Sequence, residues 1–122
     1  MEILVCVKQV PESDGAIHIN DDGSWIQTNS FTEFKMNRLD EYAVEEAVHL
    51  KETVPDITID VLSVGPERSE DAVKRAMGMG ADHGIHIKTA TDDYVCPAVI
   101  AAWIAQYARK KKYTLILAGT MS

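Results

Sequence analysis

The sequence lacks the features that mark secreted, membrane-spanning and nucleic-acid-binding proteins. It has only two cysteines in 122 residues, and no apolar run approaches the roughly 20 residues needed to cross a bilayer. Residues 1–7 are too short and lack the cationic start of a signal peptide. Lys and Arg number 12 against 19 Asp and Glu, a net charge of -7, whereas nucleic-acid binding needs clustered cations. We therefore expect a cytoplasmic protein with no membrane insertion and no nucleic-acid partner.

The length and the cysteine positions limit how the chain is organised. A chain of 122 residues is close to the commonest domain size, so we expect one domain over residues 1–122. Cys6 and Cys96 lie far apart in apolar surroundings. This favours two buried free thiols of a reducing compartment over a disulfide, which is the less favoured alternative.

Short β-branched runs alternate with helical patterns, which is typical of βαβ units. Residues 3–7 form a continuous apolar run, as expected for a central strand covered on both faces. Further strands are predicted over residues 57–64, 84–87 and 113–118, and helices over 37–54, 69–77 and 97–110. The pattern predicts an α/β fold with a doubly wound, mostly parallel sheet and helices on both faces.

Local signals refine these elements. Asp22-Gly23 favours the turn of a small β-hairpin excursion between residues 16–19 and 24–27. Asn37 can cap the first long helix. The helix over residues 69–77 should turn four apolar side chains inward and end at one of two glycines. These are Ala72, Val73, Ala76 and Met77, with Gly78 or Gly80.

Several motifs of enzymes and metal sites can be tested by their context. The sequence has no Gly-x-x-x-x-Gly-Lys-Ser/Thr phosphate loop and no Gly-x-Ser-x-Gly elbow. His83 and His86 are separated by two residues in a strand, so they should point to opposite faces instead of sharing a metal. Asp21 and Asp22 are better explained as turn residues beside Gly23. P-loop hydrolases and serine hydrolases are therefore excluded, and we predict no metal ligand.

Open α/β sheets bind ligands at the carboxyl ends of their strands, and three segments of this chain fall there. They are residues 6–9, 63–66 and 119–120. Asn37 begins a helix whose first amides could face an anion. On this pattern alone the presence of a nucleotide stays open, since any doubly wound protein has such loops.

Four ordered segments resemble electron transfer flavoprotein β subunits. They are the opening Ile-Leu-Val-Cys-Val-Lys-Gln-Val-Pro at 3–11, Met-Asn-Arg-Leu-Asp-Glu-Tyr-Ala-Val-Glu-Glu-Ala at 36–47, Ser-Val-Gly-Pro at 63–66 and Ala-Met-Gly-Met-Gly-Ala-Asp at 76–82. The resemblance covers essentially the whole chain, but a family subunit is about twice as long. It therefore implies the N-terminal half of such a subunit, with a Rossmann-like, adenine-nucleotide-binding fold.

The resemblance also implies cofactors, partners and a function. Family members bind AMP as a structural element in this domain, or a second FAD in electron-bifurcating members, while the other FAD is held mainly by the α subunit. The complete heterodimer carries electrons from flavin-dependent dehydrogenases to an acceptor, and the subunit has no catalytic residues of its own. The implied cofactor-binding residues are Cys6, Asn37, Arg38, Leu39, Asp40, Val64, Gly119, Thr120, Met121 and Ser122.

Individual roles within this set are less specific. Asn37 can contact a phosphate or ribose, or it can be a plain helix cap. Cys6 and Val64 are expected to be small walls beside the ligand, with a core role as the alternative. Arg38 departs from the proline usual in the family motif, so it could add a phosphate contact or point to solvent.

Two rival functions share this architecture. A stand-alone adenine-nucleotide-binding stress or sensor domain usually carries a glycine-rich phosphate loop before its final helix, and the sequence has none. An ATP-using ligase or sulphur-transfer enzyme needs a Ser-Gly-Gly-x-Asp-Ser-like loop after the first strand, where this chain has residues 8–11, Lys-Gln-Val-Pro. The sensor domain is kept as the alternative function.

Overall fold

The computed structural model describes residues 1–12, 18–28, 32–91 and 93–121, and the predictions for residues 16, 17, 92 and 122 lie outside these ranges. The strands are β1 Glu2–Cys6, β2 Gln9–Pro11, β3 His18–Ile19, β4 Ile26–Gln27, β5 Phe34–Met36, β6 Thr58–Gly65, β7 His83–Lys88 and β8 Leu115–Ala118. The helices are α1 Arg38–Thr53, α2 Glu70–Met79 and α3 Pro97–Arg109, with a 3-10 turn at Glu67–Ser69.

Four strands form a parallel sheet in the order β7-β6-β1-β8. The apolar run predicted as a central strand is β1, which pairs with β6 on one side and β8 on the other. Cys6, the last residue of β1, lies opposite Leu62 and Ala118. The carboxyl ends of β1 and β8 therefore lie side by side.

The main core lies between this sheet and the α1–α2 layer. Helix α1 contacts β1, β6 and β8, while α2 contacts β6, β7 and α1. Alternate residues of the strands face these helices, among them the fully buried Ile3, Val5 and Val61. Burying each such side chain stabilises the fold by about 1.5–3 kcal/mol.

The handedness rule for parallel crossovers assigns helix α3 to the opposite face of the sheet. The chain moves from edge strand β7 back across the sheet to β8, and a right-handed crossover in that direction places α3 on the side away from α1 and α2. Leu4 and Leu62 are buried on this second face. The predicted doubly wound α/β fold with helices on both faces is thus confirmed.

The excursion between β1 and α1 also follows the prediction where the structure describes it. Strands β3 and β4 pair antiparallel, and Gly23 turns between them with φ of 73°. Asp22 Oδ1 accepts hydrogen bonds from the Ser24 amide (3.0 Å) and hydroxyl (2.7 Å), which confirms the turn role given to this aspartate. A second pair, β2 with β5, leads the chain into α1.

Two local predictions are wrong. Met77 is 42% exposed, because α2 lies over edge strand β7 and only one side of Met77 packs on Gly84. Cys96 is exposed at the start of α3 instead of buried, while both cysteines are free as expected. The predicted end of α2 at one of two glycines is confirmed: Gly78 continues the helix, and Gly80, with φ of 130°, ends it.

The amino ends of the strands are held by polar contacts. Asp60 is buried, and it accepts a hydrogen bond from the Tyr113 hydroxyl (2.7 Å) and lies 2.9 Å from His83 Nδ1. Burial and the Asp60 contact raise the pKa of Tyr113 far above its usual range. The Asp82 carboxylate accepts a hydrogen bond from the Ile59 amide and forms an ion pair with Lys51.

None of the helices in the described ranges combines the length and the apolar character that a membrane-spanning segment needs.

Candidate functional site

The carboxyl edge of the sheet brings together three parts of the chain that are distant in sequence. These are the segment after β1, the first turn of α1 and the segment after β8. The Asn37 amide donates to the Lys8 carbonyl (2.8 Å), which fixes the start of α1 beside the end of β1. The edge is therefore tied together by specific hydrogen bonds, most of them centred on two residues, Asp40 and Asn37.

Asp40 joins the two loops that flank α1. Its side chain is buried, with the residue only 5% exposed. Oδ2 accepts from the Lys8 amide (2.9 Å), and Oδ1 accepts from the Gly119 amide (3.1 Å). A carboxylate that accepts two backbone amides is a strong, charge-assisted anchor. The structure thus places Asp40 at the predicted site, but in contact with protein groups.

Gly119 is required by the close approach of its loop to α1. A Cβ built on Gly119 would lie 2.9 Å from the Leu39 carbonyl carbon and 3.0 Å from the Asp40 amide nitrogen, and it would overlap Asp40 Oδ1. Any side chain here would push the loop away from the helix. The absence of a side chain at Gly119 thus allows the loop after β8 to lie against the first turn of α1.

Asn37 begins α1, but its side chain does not cap the helix. The amide nitrogen Nδ2 instead donates to the Met121 carbonyl (2.8 Å), and the residue is 6% exposed. The interpretation of the Asn37 side chain as a plain helix cap is therefore wrong, because this side chain binds the loop after β8 instead of the first turn of α1. The backbone carbonyl still accepts from the amides of Asp40 and Glu41 at 3.1 Å.

The first turn of α1 leaves hydrogen-bond donors available. The amides of Arg38 and Leu39 make no hydrogen bond within the described part of the chain. Free amides and the positive end of the helix dipole attract anions. The Arg38 side chain is exposed and Leu39 is half-buried. This edge can therefore receive an anionic group of a ligand.

Cys6 and Val64 lie on the α3 side of the sheet near the same edge. Both are half-buried, and Cys6 is next to β6 through its pairing with Leu62. Burial, assisted by the nearby negative charge of Asp40, raises the pKa of the Cys6 thiol to about 11. Cys6 is thus a neutral, weakly nucleophilic thiol at neutral pH.

Two further polar groups near the edge were not singled out from the sequence. Gln9 Oε1 and Ser63 Oγ are buried and have no hydrogen-bond partner among the described residues. Buried polar atoms are rarely left unpaired, so each is a candidate for a bond to a bound ligand. Gln9 and Ser63 belong to the segments 6–9 and 63–66, which the sequence predicts at the carboxyl ends of strands. No sequence pattern shows that one side-chain atom is buried without a hydrogen-bond partner.

The remaining predicted residues lie at the end of the chain. Thr120 and Met121 are exposed, and Met121 is 71% exposed although its carbonyl is held by Asn37. Ser122 lies outside the described residues. Within the described ranges, no group of three or more His, Cys, Asp and Glu side chains could hold a metal ion.

Comparisons with known proteins agree with this architecture. The electron transfer flavoprotein domain family matches residues 27–122. Proteins named electron transfer flavoprotein subunit beta are similar across 98% of this chain: 34% identical in Dictyostelium discoideum, 33% in Bradyrhizobium diazoefficiens and 34% in Homo sapiens. The chain spans about half the length of the curated relatives it matches, 46% or 47% of each. The resemblance stated from the four sequence segments is confirmed.

Proposed function

Because the chain belongs to the electron transfer flavoprotein domain family, we propose that it forms the nucleotide-binding region of a β subunit that carries electrons with an α-subunit partner. The relatives that support this proposal are named electron transfer flavoprotein subunit beta. The subunit supplies binding and positioning in this proposal, and it has no catalytic residues of its own. Electrons pass from flavin-dependent dehydrogenases to a downstream acceptor through the complete heterodimer.

The observation that carries the proposal is the tethering of both loops to the first turn of α1. Asp40 holds the Lys8 and Gly119 amides, while Asn37 holds the Met121 carbonyl. These contacts build one continuous rim beside the free amides at the start of α1. Ligands of open α/β sheets bind at such a rim, and phosphate groups bind at helix amino ends.

We assign the ligand as AMP, with a second FAD as the alternative at the same edge. The chemistry of the described residues fits a nucleotide. The amides of Arg38 and Leu39 and the oxygens Gln9 Oε1 and Ser63 Oγ have no hydrogen-bond partner among those residues. The amides suit the phosphate of a nucleotide, and the oxygens suit its hydroxyl or amino groups. Cys6, Val64, Thr120 and Met121, together with Ser122, complete the proposed cofactor-binding set. AMP would act structurally, whereas FAD would supply redox chemistry when bound.

Asp40 differs from the other proposed site residues because its carboxylate is occupied by the two loop amides. Within this site it positions the rim and is not expected to touch the nucleotide. Asn37 keeps one unused group, since its Oδ1 makes no hydrogen bond to a described residue. Asn37 can therefore both hold the loop after β8 and accept a hydrogen bond from the ligand.

The proposal can be tested by counting nucleotides. The full-length protein is co-expressed with the α subunit from the same source, and the purified complex is denatured to release and quantify its nucleotides. One FAD and one AMP per heterodimer support an ordinary carrier, and two FAD support a bifurcating one. Failure to form a complex, with no nucleotide released, contradicts the proposal.

We also propose a cytoplasmic location for the protein, and fractionation of the source cells checks it.

A pair of variants locates the nucleotide. Asn37→Ala removes the side chain that holds the Met121 carbonyl, so the complex should retain less AMP while keeping its FAD on the α subunit. Asn20→Ala, in the hairpin turn, removes none of the contacts that link the two loops to α1, because the hydrogen bonds of Asn20 within the described residues are backbone bonds to Trp25 and Gly23. It is the matched control and should retain AMP normally. Equal AMP retention in the two variants would place the nucleotide elsewhere.

A further inference from the structure

A groove of about 640 Å³ lies on the α3 side of edge strand β7, and it shares no residue with the proposed nucleotide site. We call it the α3 groove. It is lined by Ile87, Lys88, Thr89, Ala90, Thr91, Asp93, Tyr94, Val95, Trp103, Gln106, Tyr107 and Lys110. Its volume is within the range of ligand-binding clefts, but it is open along one side instead of enclosed.

Aromatic and aliphatic side chains form much of this groove. Trp103 and Tyr107, on the same side of α3, are half-buried, while Tyr94 is 56% exposed. The Tyr94 ring is held in place by Trp25 of the hairpin excursion, with ring centroids 5.0 Å apart. Tyr and Trp are the residues most enriched at the centres of protein interfaces, where they anchor a partner.

The groove ends at the strongest positive charge of the chain. Residues 109–112 are Arg-Lys-Lys-Lys, all four are exposed, and Lys110 lines the groove. Among the described residues, no carboxylate forms an ion pair with any of the four. Other cations of this acidic chain are paired, for example Lys51 with Asp82 and Arg75 with Glu41.

The other charges around the groove do not cancel this excess. Asp93 is the described acid in the lining, and its Oδ2 accepts from the Thr91 hydroxyl (3.1 Å). Lys88 lies at the opposite rim, 4.0 Å from the exposed Glu67. The end of α3 attracts cations through its dipole, which accounts for Arg109 in the last turn but not for the three lysines beyond the helix end.

We propose that the α3 groove is a docking surface for an acidic segment of a partner protein that inserts an aromatic side chain between Tyr94 and Trp103. The open shape suits a peptide more than a small molecule, which ligand clefts usually enclose. The cations at residues 109–112, which form no ion pair within the described part of the chain, supply the complementary charge, and they would increase the rate of encounter. The partner would bind without touching the nucleotide edge.

Binding is tested with the full-length protein in its purified, nucleotide-containing form. The probe is a labelled synthetic peptide with one phenylalanine flanked by glutamates, and its binding is measured by fluorescence anisotropy. Two matched peptides replace the glutamates by glutamine or the phenylalanine by alanine. We expect the acidic aromatic peptide to bind best and to weaken as salt rises, because the charges are exposed. Benzoate alone should not compete.

Charge-reversal variants assign the surface. The double variant Lys110→Glu and Lys111→Glu should weaken peptide binding by about tenfold. Lys74→Glu, on the opposite face of the sheet, is the matched control and should leave binding unchanged. Tyr94→Ala, at an exposed ring, should also weaken binding without loss of the fold. Released nucleotide is counted in each variant, so that loss of the proposed cofactor is separated from loss of peptide binding.

Several results would overturn the docking proposal. These are an absence of peptide binding, equal binding of the glutamine peptide, or equal effects of Lys74→Glu and the double variant. Binding that survives both the double variant and Tyr94→Ala would also place the peptide elsewhere. Competition by benzoate at the affinity of the peptide would assign the groove to a small aromatic anion instead.

Discussion

Replacing Asp40 by asparagine perturbs the proposed site with almost no change in shape. The carboxylate accepts one amide on each oxygen, from Lys8 and from Gly119. Asparagine keeps one acceptor oxygen, but it turns an NH2 group toward the second amide. One of the two hydrogen bonds is therefore lost. The backbone amide that made it, of Lys8 or of Gly119, then faces the NH2 group of the asparagine, which is also a donor.

The expected cost follows from these contacts. A hydrogen bond to a charged group contributes about 1.5–3 kcal/mol, and an unsatisfied buried donor costs a similar amount. Loss of a negative charge from the first turn of α1 adds about 0.3–1 kcal/mol. The lost hydrogen bond and the unsatisfied donor describe the same loss and are counted once, so we expect Asp40→Asn to lower the free energy of unfolding by about 2–4 kcal/mol. Asp71→Asn removes an exposed acid from the first turn of α2 without loss of a buried hydrogen bond, and it should cost no more than about 1 kcal/mol.

Urea unfolding measures this difference, and hydrogen exchange shows where it arises. The two variants should unfold with the same dependence on urea but at different midpoints. In Asp40→Asn the amides of Lys8 and Gly119 should exchange faster at conditions where the core amides do not. The pKa of Cys6 should also fall, because the Asp40 charge is one of the causes that raise it.

The reasoning would be refuted by three results together. These are equal stabilities of Asp40→Asn and Asp71→Asn, unchanged exchange at Lys8 and Gly119, and an unchanged pKa of Cys6. If Asp40→Asn loses stability but the amides of Lys8 and Gly119 do not exchange faster, Asp40 stabilises α1 and does not fix the positions of the two loops.

Three other predictions concern the Cys6 thiol, the close approach of Gly119 to α1 and the Asp82 contact at the amino ends of the strands. In Cys96→Ser the remaining Cys6 thiol should react slowly with iodoacetamide, and its rate should rise about tenfold per pH unit toward pH 11; a rate equal to that of Cys96 in Cys6→Ser would contradict the burial argument. Gly119→Ala should destabilise the rim and reduce AMP retention, as counted after denaturation, because its Cβ meets Leu39; normal retention would disprove the close approach. The Lys51 contact lowers the pKa of Asp82 below its ordinary value of 3.8, so its stabilisation is present above that value and lost as pH falls through the lower folded pKa. Asp82→Asn should thus flatten the acid limb of the unfolding free energy, and an unchanged limb would contradict this.

The elements of the fold could be predicted because their patterns are local. The apolar run at residues 3–7 marked a central strand, and Asp22-Gly23 marked the hairpin turn. Met77 was placed wrongly because helical spacing identifies the inward face of α2 but not the strand beneath it. Since that strand is the edge strand β7, part of the inward face reaches solvent.

The sequence predicts which candidate residues come together at the carboxyl edge better than it predicts the contacts that each of them makes. Strand order alone directs ligands to the carboxyl edge, and the resemblance selected residues there. Asn37 looked like a helix cap because no sequence pattern shows that the Met121 carbonyl comes within reach of its side chain. Likewise, no sequence pattern shows that Asp40 accepts hydrogen bonds from the amides of Lys8 and Gly119, because these partners are brought near only by the tertiary fold.

The central claim is that a nucleotide occupies this edge, and amide chemical shifts test it most directly. AMP is titrated into nucleotide-free, isotope-labelled protein, and the amide signals of Arg38, Leu39 and Gly119 are followed. The account predicts that these signals shift together with a single dissociation constant, while those at the α3 groove stay in place. Saturable shifts confined to other residues, or no shifts at all, would contradict it.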